Sequence, residues 1–554
     1  MKLRAPVIAV IAFGACAPAV QVSTAPAVAP AIDASRLAEH IRILASDEFE
    51  GRAPASPGEE KTVNYLVEQL RAAGVEPGGP DGSWFQEVPL NQYDIVGSPA
   101  LSFTIGGQRQ ALTQGEQIAV RASMLNVDRV AINDAPLVFL GYGVRAPERN
   151  WDDFKGQDVR GKIGIVLVND PDFEAGQGDF GGKTMTYYGR WTYKFEIAAE
   201  LGMAGMLVVH ETEPASYGWA TVKNSNTNTM FDIVRANPAE VHPMVEGWIQ
   251  REVAVELLRA AGHDFEVLKR QAQTRDFQPV TLGNATFSAE YAVRSATIRT
   301  RNVLGRLTGS TYPNETILYG AHWDHLGIGA PDARGDSIYN GAVDNAMGTA
   351  IVLEIARAFA AGPRPQRSIV FALWAAEEKG LLGSEYYADN PVYPLETTVA
   401  GFNIDAPQPS GPARDIVVIG TGQSELEDHL APLVAAAGRV ITPDPNPEAG
   451  YFFRSDHFPL AKRGAPMLYT KAGVDLLNGG AAAGDAFDVT YRRERYHQPA
   501  DEYDPATWNL GGIVQDATLL HRMGLELANS RAWPNYRPGS EFRPTRDASA
   551  GQRR

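Results

Sequence analysis

His322 and His325 stand three residues apart, with Asp324 between them, and Asp344 follows in GAVDNAMG. Further along, Glu377 and Glu378 end WAAEE, and Asp405 ends FNID. SDHFPL contains Asp456 and His457, and the segment YRRERYHQPADEYD contains Tyr496, His497, Asp501 and Asp504. Imidazole mixed with carboxylate is the donor set of zinc and related divalent ions. Two histidines and three carboxylates suit a pair of ions that share one carboxylate, with a further carboxylate left free to act as a base. Residue type and spacing leave the choice of ligands open among these groups.

The elements around these groups have a common form. TILYG leads into His322, SIVFALWAA into Glu377, and VAGFNID carries Asp405 at its end. Nearly continuous apolar runs of this kind are expected of parallel strands buried on both faces. Ligand sites of such sheets lie beyond the carboxyl ends of the strands. DNAMGTAIVLEIARAF, SELEDHLAPLVAAAG and residues 510–531 have helical periodicity, while NVLGRLTG, DIVVIG and PMLYTKAG read as strands. An α/β domain is therefore expected over 293–534, followed by an Arg-, Pro- and Gly-rich flexible tail, 535–554. The glycine-rich stretch 476–484 reads as a loop that, with Arg454 and Asp456, shapes the substrate pocket.

Residues 33–97 are expected to add helices to the same domain, the first capped by Asp33 and the second ending at Gly74. Arg52 and Glu59, between and within them, carry no role that spacing assigns. From 98 to 292 the texture changes to short β-like runs such as LSFTIGG, GKIGIVLVNDP and GMLVVHE, with one helix, TYKFEIAAELGM, among them. The acidic cluster Asp152, Asp153 and Asp158 reads as a solvated loop, and His210 as structural.

A net charge of -16 and the absence of any dense Lys/Arg tract argue against nucleic acid as a partner. The single cysteine, Cys16, excludes disulfide support and thiolate zinc sites. Residues 1–32 read as a signal and linker: Lys2 and Arg4 precede the apolar run PVIAVIAFGAC, which resembles a bacterial export signal. FGAC resembles a lipobox in which Phe13 replaces the usual aliphatic residue, and it would make Cys16 a lipid attachment point. The expected location is the periplasm, the cell envelope or the exterior.

Taken together, His322-Trp323-Asp324, Asp344-Asn345, Trp374-Ala375-Ala376-Glu377-Glu378, Asn403-Ile404-Asp405 and Tyr496-His497 resemble the M28 family of metallopeptidases, of the zinc aminopeptidase type. The likeness implies a three-layer α/β zinc-peptidase fold with a central mixed β-sheet and two Zn2+ ions at its strand ends. GYGV with WDDFKGQDVRGKIGIVLVNDP resembles the β-rich protease-associated domain often inserted in this family. By position, the implied metal ligands are His322, Asp344, Glu378, Asp405 and His497. Asp344 is the implied bridge, with His322 and Asp405 as outer ligands of different ions.

Glu377 is the implied general base, acting on metal-activated water. Asp324 is expected to orient His322 through its other ring nitrogen, and Tyr496 to donate a hydrogen bond to the developing oxyanion. His325 and His457 are expected to stay off the metals, with Ser455 capping the helix that His457 begins. The implied activity is an exported aminopeptidase acting on peptides. A glutamate-carboxypeptidase-like enzyme or a dipeptidase is the alternative, with Arg454, Arg492, Arg493 or Arg495 gripping a carboxylate. A non-catalytic, receptor-like protein is a third reading, disfavoured because all six key positions are present.

Overall fold

The computed structural model describes residues 32–553. The expected export signal and Cys16 lie outside them. Among the described residues no helix is long and apolar enough to cross a membrane.

Four parallel strands carry the half that holds the candidate metal ligands, in the order Arg367–Trp374, Tyr312–His322, Thr398–Asn403 and Met467–Lys471. Asp415–Ile419 and Val440–Pro443 extend the sheet beyond Met467–Lys471, the first of them antiparallel to that strand. On the other side Val280–Leu307 pairs antiparallel with Arg367–Trp374. The mixed sheet and its period-two burial make three layers. Ile317, Tyr319 and Ala321 join one apolar core with Ile369, Phe371 and Leu373, whereas Leu318, Val370, Ala372 and Trp374 join another on the opposite face. Alternate side chains of a strand point to opposite faces, so covering both with helices makes the strands apolar throughout.

The first face is covered by Ala34–Leu44, Pro57–Ala72, Gly348–Ala361, Leu426–Ala436 and Gly511–Ala528. Asp33 caps the first of these by accepting the amides of Ser35 and Arg36. The second helix begins at Pro57, five residues before the regular apolar spacing starts, because Ser56 caps it and Pro57 suits its first turn.

A β-rich lobe continues the same sheet. Beyond Val280–Leu307 come Arg129–Phe139, Ile163–Leu167, Gly205–His210, Val245–Gln250 and Ile118–Val120. The lobe has its own apolar core, with Trp191–Glu200 packed beside it. Two long strands, Phe85–Ile105 and Val280–Leu307, run through both halves. The expected boundaries at 98 and 292 fall inside these strands, where their ladder shifts register between Glu290 and Ala292, opposite Val96 to Ala100. The change of texture in the sequence thus marks an irregularity in a continuous ribbon, not a chain break.

The expected flexible tail is instead packed. Tyr536, Phe542 and Arg546 are buried, the Tyr536 hydroxyl donates to the Ala465 carbonyl, and Arg543–Ala548 is helical. Its two aromatic side chains complete the second core, which outweighs a composition otherwise typical of loose chain. The stretch read as a loop over 476–484 also differs, since a helix runs Gly480–Glu494 and includes the start of the segment that bears His497.

Candidate metal centre

Strand register brings the predicted groups together. His322 lies opposite Trp374 in one parallel pair, and Gly320 lies opposite Asn403 in the other. Glu377 and Glu378 therefore leave the sheet on one side of His322, and Asp405 on the other. Asp344 comes from the irregular turn Ala342–Met347, which contains a cis Asp344-Asn345 peptide. His497 follows the helix Gly480–Glu494 with a left-handed backbone, φ 56.

The two oxygens of Asp344 face different partners. Oδ1 is 3.2 Å from His322 Nε2, and that nitrogen is 3.3 Å from Asp405 Oδ1. Oδ2 is 3.3 Å from His497 Nε2, which is 3.1 Å from Glu378 Oε2. Ligand atoms at zinc distances and tetrahedral angles are about 3.3 Å apart. Both groups have that spacing and the right donor chemistry, so they fit divalent ions of the zinc type.

The electrostatics agree. Burial alone would lower the His497 pKa, but Glu378 and Asp344 push it up to about 10. Burial likewise opposes protonation of His322, yet Glu377, Asp344 and Asp405 raise it well above the usual imidazole range. A field that holds protons so strongly on buried imidazoles favours a cation in their place.

His325 forms a further triangle with Asp344 and Glu378. Its Nδ1 lies 2.6 Å from Glu378 Oε1, too close for two ligands of one ion and off the axis of a good hydrogen bond. His497 faces the other Glu378 oxygen at ligand spacing, which leaves His325 as a close polar contact of Glu378 Oε1. The ring of His325 is fully buried, and its backbone amide donates to the Arg52 carbonyl. His457 is also buried, between Phe452 and Tyr469, and burial lowers its pKa to about 3.

Three expectations change at this level. His322 and Asp405 belong to one donor group, not two, because their strands are neighbours in register. Ser455 does not cap the His457–Lys462 helix; its hydroxyl donates to Asp405 Oδ2 at 2.5 Å and accepts from Asn403 Nδ2 at 2.7 Å. His322 Nδ1 is held by the Asp324 main-chain carbonyl at 3.2 Å, with the carboxylate at 3.8 Å. That carboxylate instead accepts the amides of Glu377 at 3.0 Å and Glu378 at 3.3 Å, which fixes the turn carrying both glutamates.

Glu377 projects into the cleft, where burial raises its pKa well above the usual carboxylate range, opposed chiefly by His322. Bound divalent cations would pull it back down. Tyr496 stacks on His497, with centroids 3.9 Å apart, and its hydroxyl makes no hydrogen bond among the described residues.

Two supports were not assigned from the sequence. Buried Arg52 donates to the carbonyls of Trp323, Leu44, Asn340 and Gly341, clamping both ends of the loop between the two motifs. Asp501, also buried, accepts the amides of Val343 and Asp344 at 3.1 Å and the hydroxyl of Tyr491 at 3.3 Å. Its place four residues after His497 was the available signal. Outer partners of metal ligands typically contribute about 10- to 100-fold in affinity or activity. Asp501→Ala is accordingly expected to weaken zinc binding by about that factor, measured by chelator competition. Unchanged zinc affinity would show that Asp344 needs no such support.

Gly348 shows how tightly the Asp344 turn is seated. A Cβ there would come within 2.4 Å of the Ile404 carbonyl and 2.2 Å of Asn345 Oδ1. Asn345 also donates to Ile404 and accepts the Ala406 amide, tying the turn to the strand end that bears Asp405.

Two cavities open on this centre. One, about 450 Å³, reaches Asp344, Glu377 and Asp405 and is closed on the lobe side by Ser216, Tyr217 and Thr221. The other, about 350 Å³, reaches Glu378 and His497 beneath Trp191 and Phe231 of the lobe. Glu377, Arg454 and Tyr496 line both.

Residues 302–520 match Peptidase family M28. The chain is 41% identical over 110 residues to Aminopeptidase NAALADL1 of Mus musculus, covering 19% of this chain and 13% of that protein. It is 31% identical over 191 residues to Leupeptin-inactivating enzyme 1 of Streptomyces exfoliatus, covering 32% and 39%. A Probable glutamate carboxypeptidase LAMP1 of Arabidopsis thaliana is 24% identical over 263 residues, covering 46% and 33%. The matches thus span between 13% and 39% of the length of these curated relatives. Among solved structures, the aminopeptidase from Aneurinibacillus sp. strain AM-1 aligns over 92% of this chain and 95% of its own, at 17% identity and a TM-score of 0.49.

Proposed function

With residues 302–520 forming a peptidase family M28 domain, we propose that the chain is an exported two-zinc aminopeptidase that removes N-terminal residues from peptides. The observation that carries this reading is Asp344, whose two oxygens face two separate histidine-carboxylate groups. His322 and Asp405 would hold one ion, Glu378 and His497 the other, and Asp344 both. When bound, the ions supply Lewis acidity toward the scissile carbonyl and lower the pKa of water.

Glu377 accepts the proton of the attacking water and returns it to the departing amine. Asp324 keeps that carboxylate in place through the backbone of its turn. The free Tyr496 hydroxyl serves as donor to the oxygen that gains charge. Acidic side chains of the larger cavity receive the α-amine, and the β-rich lobe, read as a protease-associated domain, roofs the cavities and limits access by long chains.

Aminoacyl-anilides with a free amine are expected to be cleaved, and their N-acetyl forms to be spared. Equal cleavage of both would overturn the aminopeptidase assignment. The carboxypeptidase or dipeptidase reading has one observation in its favour, two cations without an ion-pair partner in the larger cavity, Arg454 and Lys471.

A further inference from the structure

Of the eight Lys and Arg side chains that line the two cavities, four are already neutralised by carboxylates. Arg121 pairs with Glu246 and Arg235 with Asp232, Lys462 lies 3.0 Å from Glu196, and Arg492 lies 2.6 Å from Asp488. Arg454 and Lys471 differ. Neither side chain has a hydrogen bond or a carboxylate partner among the described residues. Both lie against Tyr451, with the Arg454 guanidinium 5.6 Å and the Lys471 ammonium 4.6 Å from its ring centroid. Arg492 donates to the hydroxyl of the same ring at 3.3 Å.

This cluster forms part of the wall of the cavity that reaches Asp344, Glu377 and Asp405. Behind Arg454, a cavity of about 160 Å³ adjoins Arg190 of the lobe. Arg190 is buried, and its Nε has no hydrogen-bond partner. Asp444 and Asp488 also line the larger cavity. Asp488 is taken by Arg492, and Asp444, which accepts the Asn446 amide, feels the charge of Lys471 without forming an ion pair with it. Positive charge on this wall therefore exceeds what the protein itself neutralises, in a chain whose net charge is -16. Partly desolvated cations of this kind gain most from a carboxylate, which guanidinium can hold through paired hydrogen bonds.

We propose that Arg454 and Lys471 bind a carboxylate of the peptide substrate, so that turnover favours peptides bearing a negative charge close to the scissile bond. The inference rests on the peptidase reading above and specifies its substrate class. The carboxylate has two sources, an acidic side chain on the N-terminal residue or the C-terminal carboxylate of a dipeptide. Both would reach the same wall of the cavity.

Two nearly isosteric pairs separate them: glutamyl- against glutaminyl-p-nitroanilide, and Ala-Ala against Ala-Ala-amide. In the wild type, kcat/KM is expected to favour the anionic member of one pair by about tenfold or more. The first pair identifies the side chain as the source, the second the terminal carboxylate. In Arg454→Gln and Lys471→Gln the ratio should fall toward one, while Arg454→Lys should retain part of it. A ratio within one preparation does not depend on its folded fraction. No preference in either pair, or a preference that survives both glutamine variants, overturns the proposal while leaving the peptidase reading intact.

Loss of all hydrolysis would count against the peptidase reading itself. A binding arm then decides separately: glutamate or Ala-Ala should raise the melting temperature more than glutamine or Ala-Ala-amide. Glutamine substitution at Arg454 or Lys471 should remove that difference. If neither anionic probe outdoes its neutral partner, the carboxylate site is refuted.

Discussion

Glu377→Gln is expected to reduce kcat by about 10²- to 10⁴-fold, with a much smaller change in KM. The substitution preserves shape and backbone but removes the only proton-accepting oxygen assigned to the reacting centre. The Glu377 amide would still be anchored on Asp324, and the neighbouring Glu378 would still face His497. Zinc content should therefore remain at the wild-type level. The decisive comparison is metal analysis and kcat on the same sample. A variant that holds its zinc and turns over normally would remove Glu377 from the mechanism. One that loses its zinc would show instead that its carboxylate supports the donor groups.

Metal removal should affect stability as well as activity. Asp344, Glu378, Asp405, Glu377 and Asp456 crowd one region, and Asp456 is pushed up to about 8, first by burial and further by neighbouring carboxylates. Without cations these groups repel one another or take up protons, and either costs folding energy. An ion present at a thousandfold over its Kd contributes about 4 kcal/mol to the native state. For a chain of 554 residues unfolding as one unit, that amounts to about 4 °C in melting temperature per ion. Chelation is thus expected to abolish hydrolysis and lower the melting transition by about that amount, and zinc should restore both. Asp344→Asn should reproduce the loss in the presence of zinc, because a neutral amide cannot serve two cations. An unchanged melting temperature after complete zinc removal, verified by elemental analysis, would mean that the folded centre tolerates its own charge.

The legible parts of this protein were those written locally. Apolar runs such as SIVFALWAA announce buried parallel strands, and polar groups at their ends announce where the chemistry lies. Asp33 and its helix were legible for the same reason, since a cap and its helix are neighbours in the chain. The tail was misread because Tyr536 and Phe542 find their core only across the fold. Ser455 was misread because a hydroxyl beside a helix start can cap it or turn to a strand end, and Asp405 draws it the second way.

The sequence by itself determined the donor types, the strands that present them and the family they resemble. Only the tertiary structure decided which donors lie at ligand spacing from one another. Strand register places His322 beside Asp405, and the Asp344 turn directs its second oxygen to His497. It also decided that His325 contacts the Glu378 oxygen that His497 does not face, and that Arg52 and Asp501 hold the loops in place. Element type follows from the nearest few residues, whereas a ligand sphere a few ångströms wide depends on register and loop closure between segments that lie tens of residues to more than a hundred residues apart.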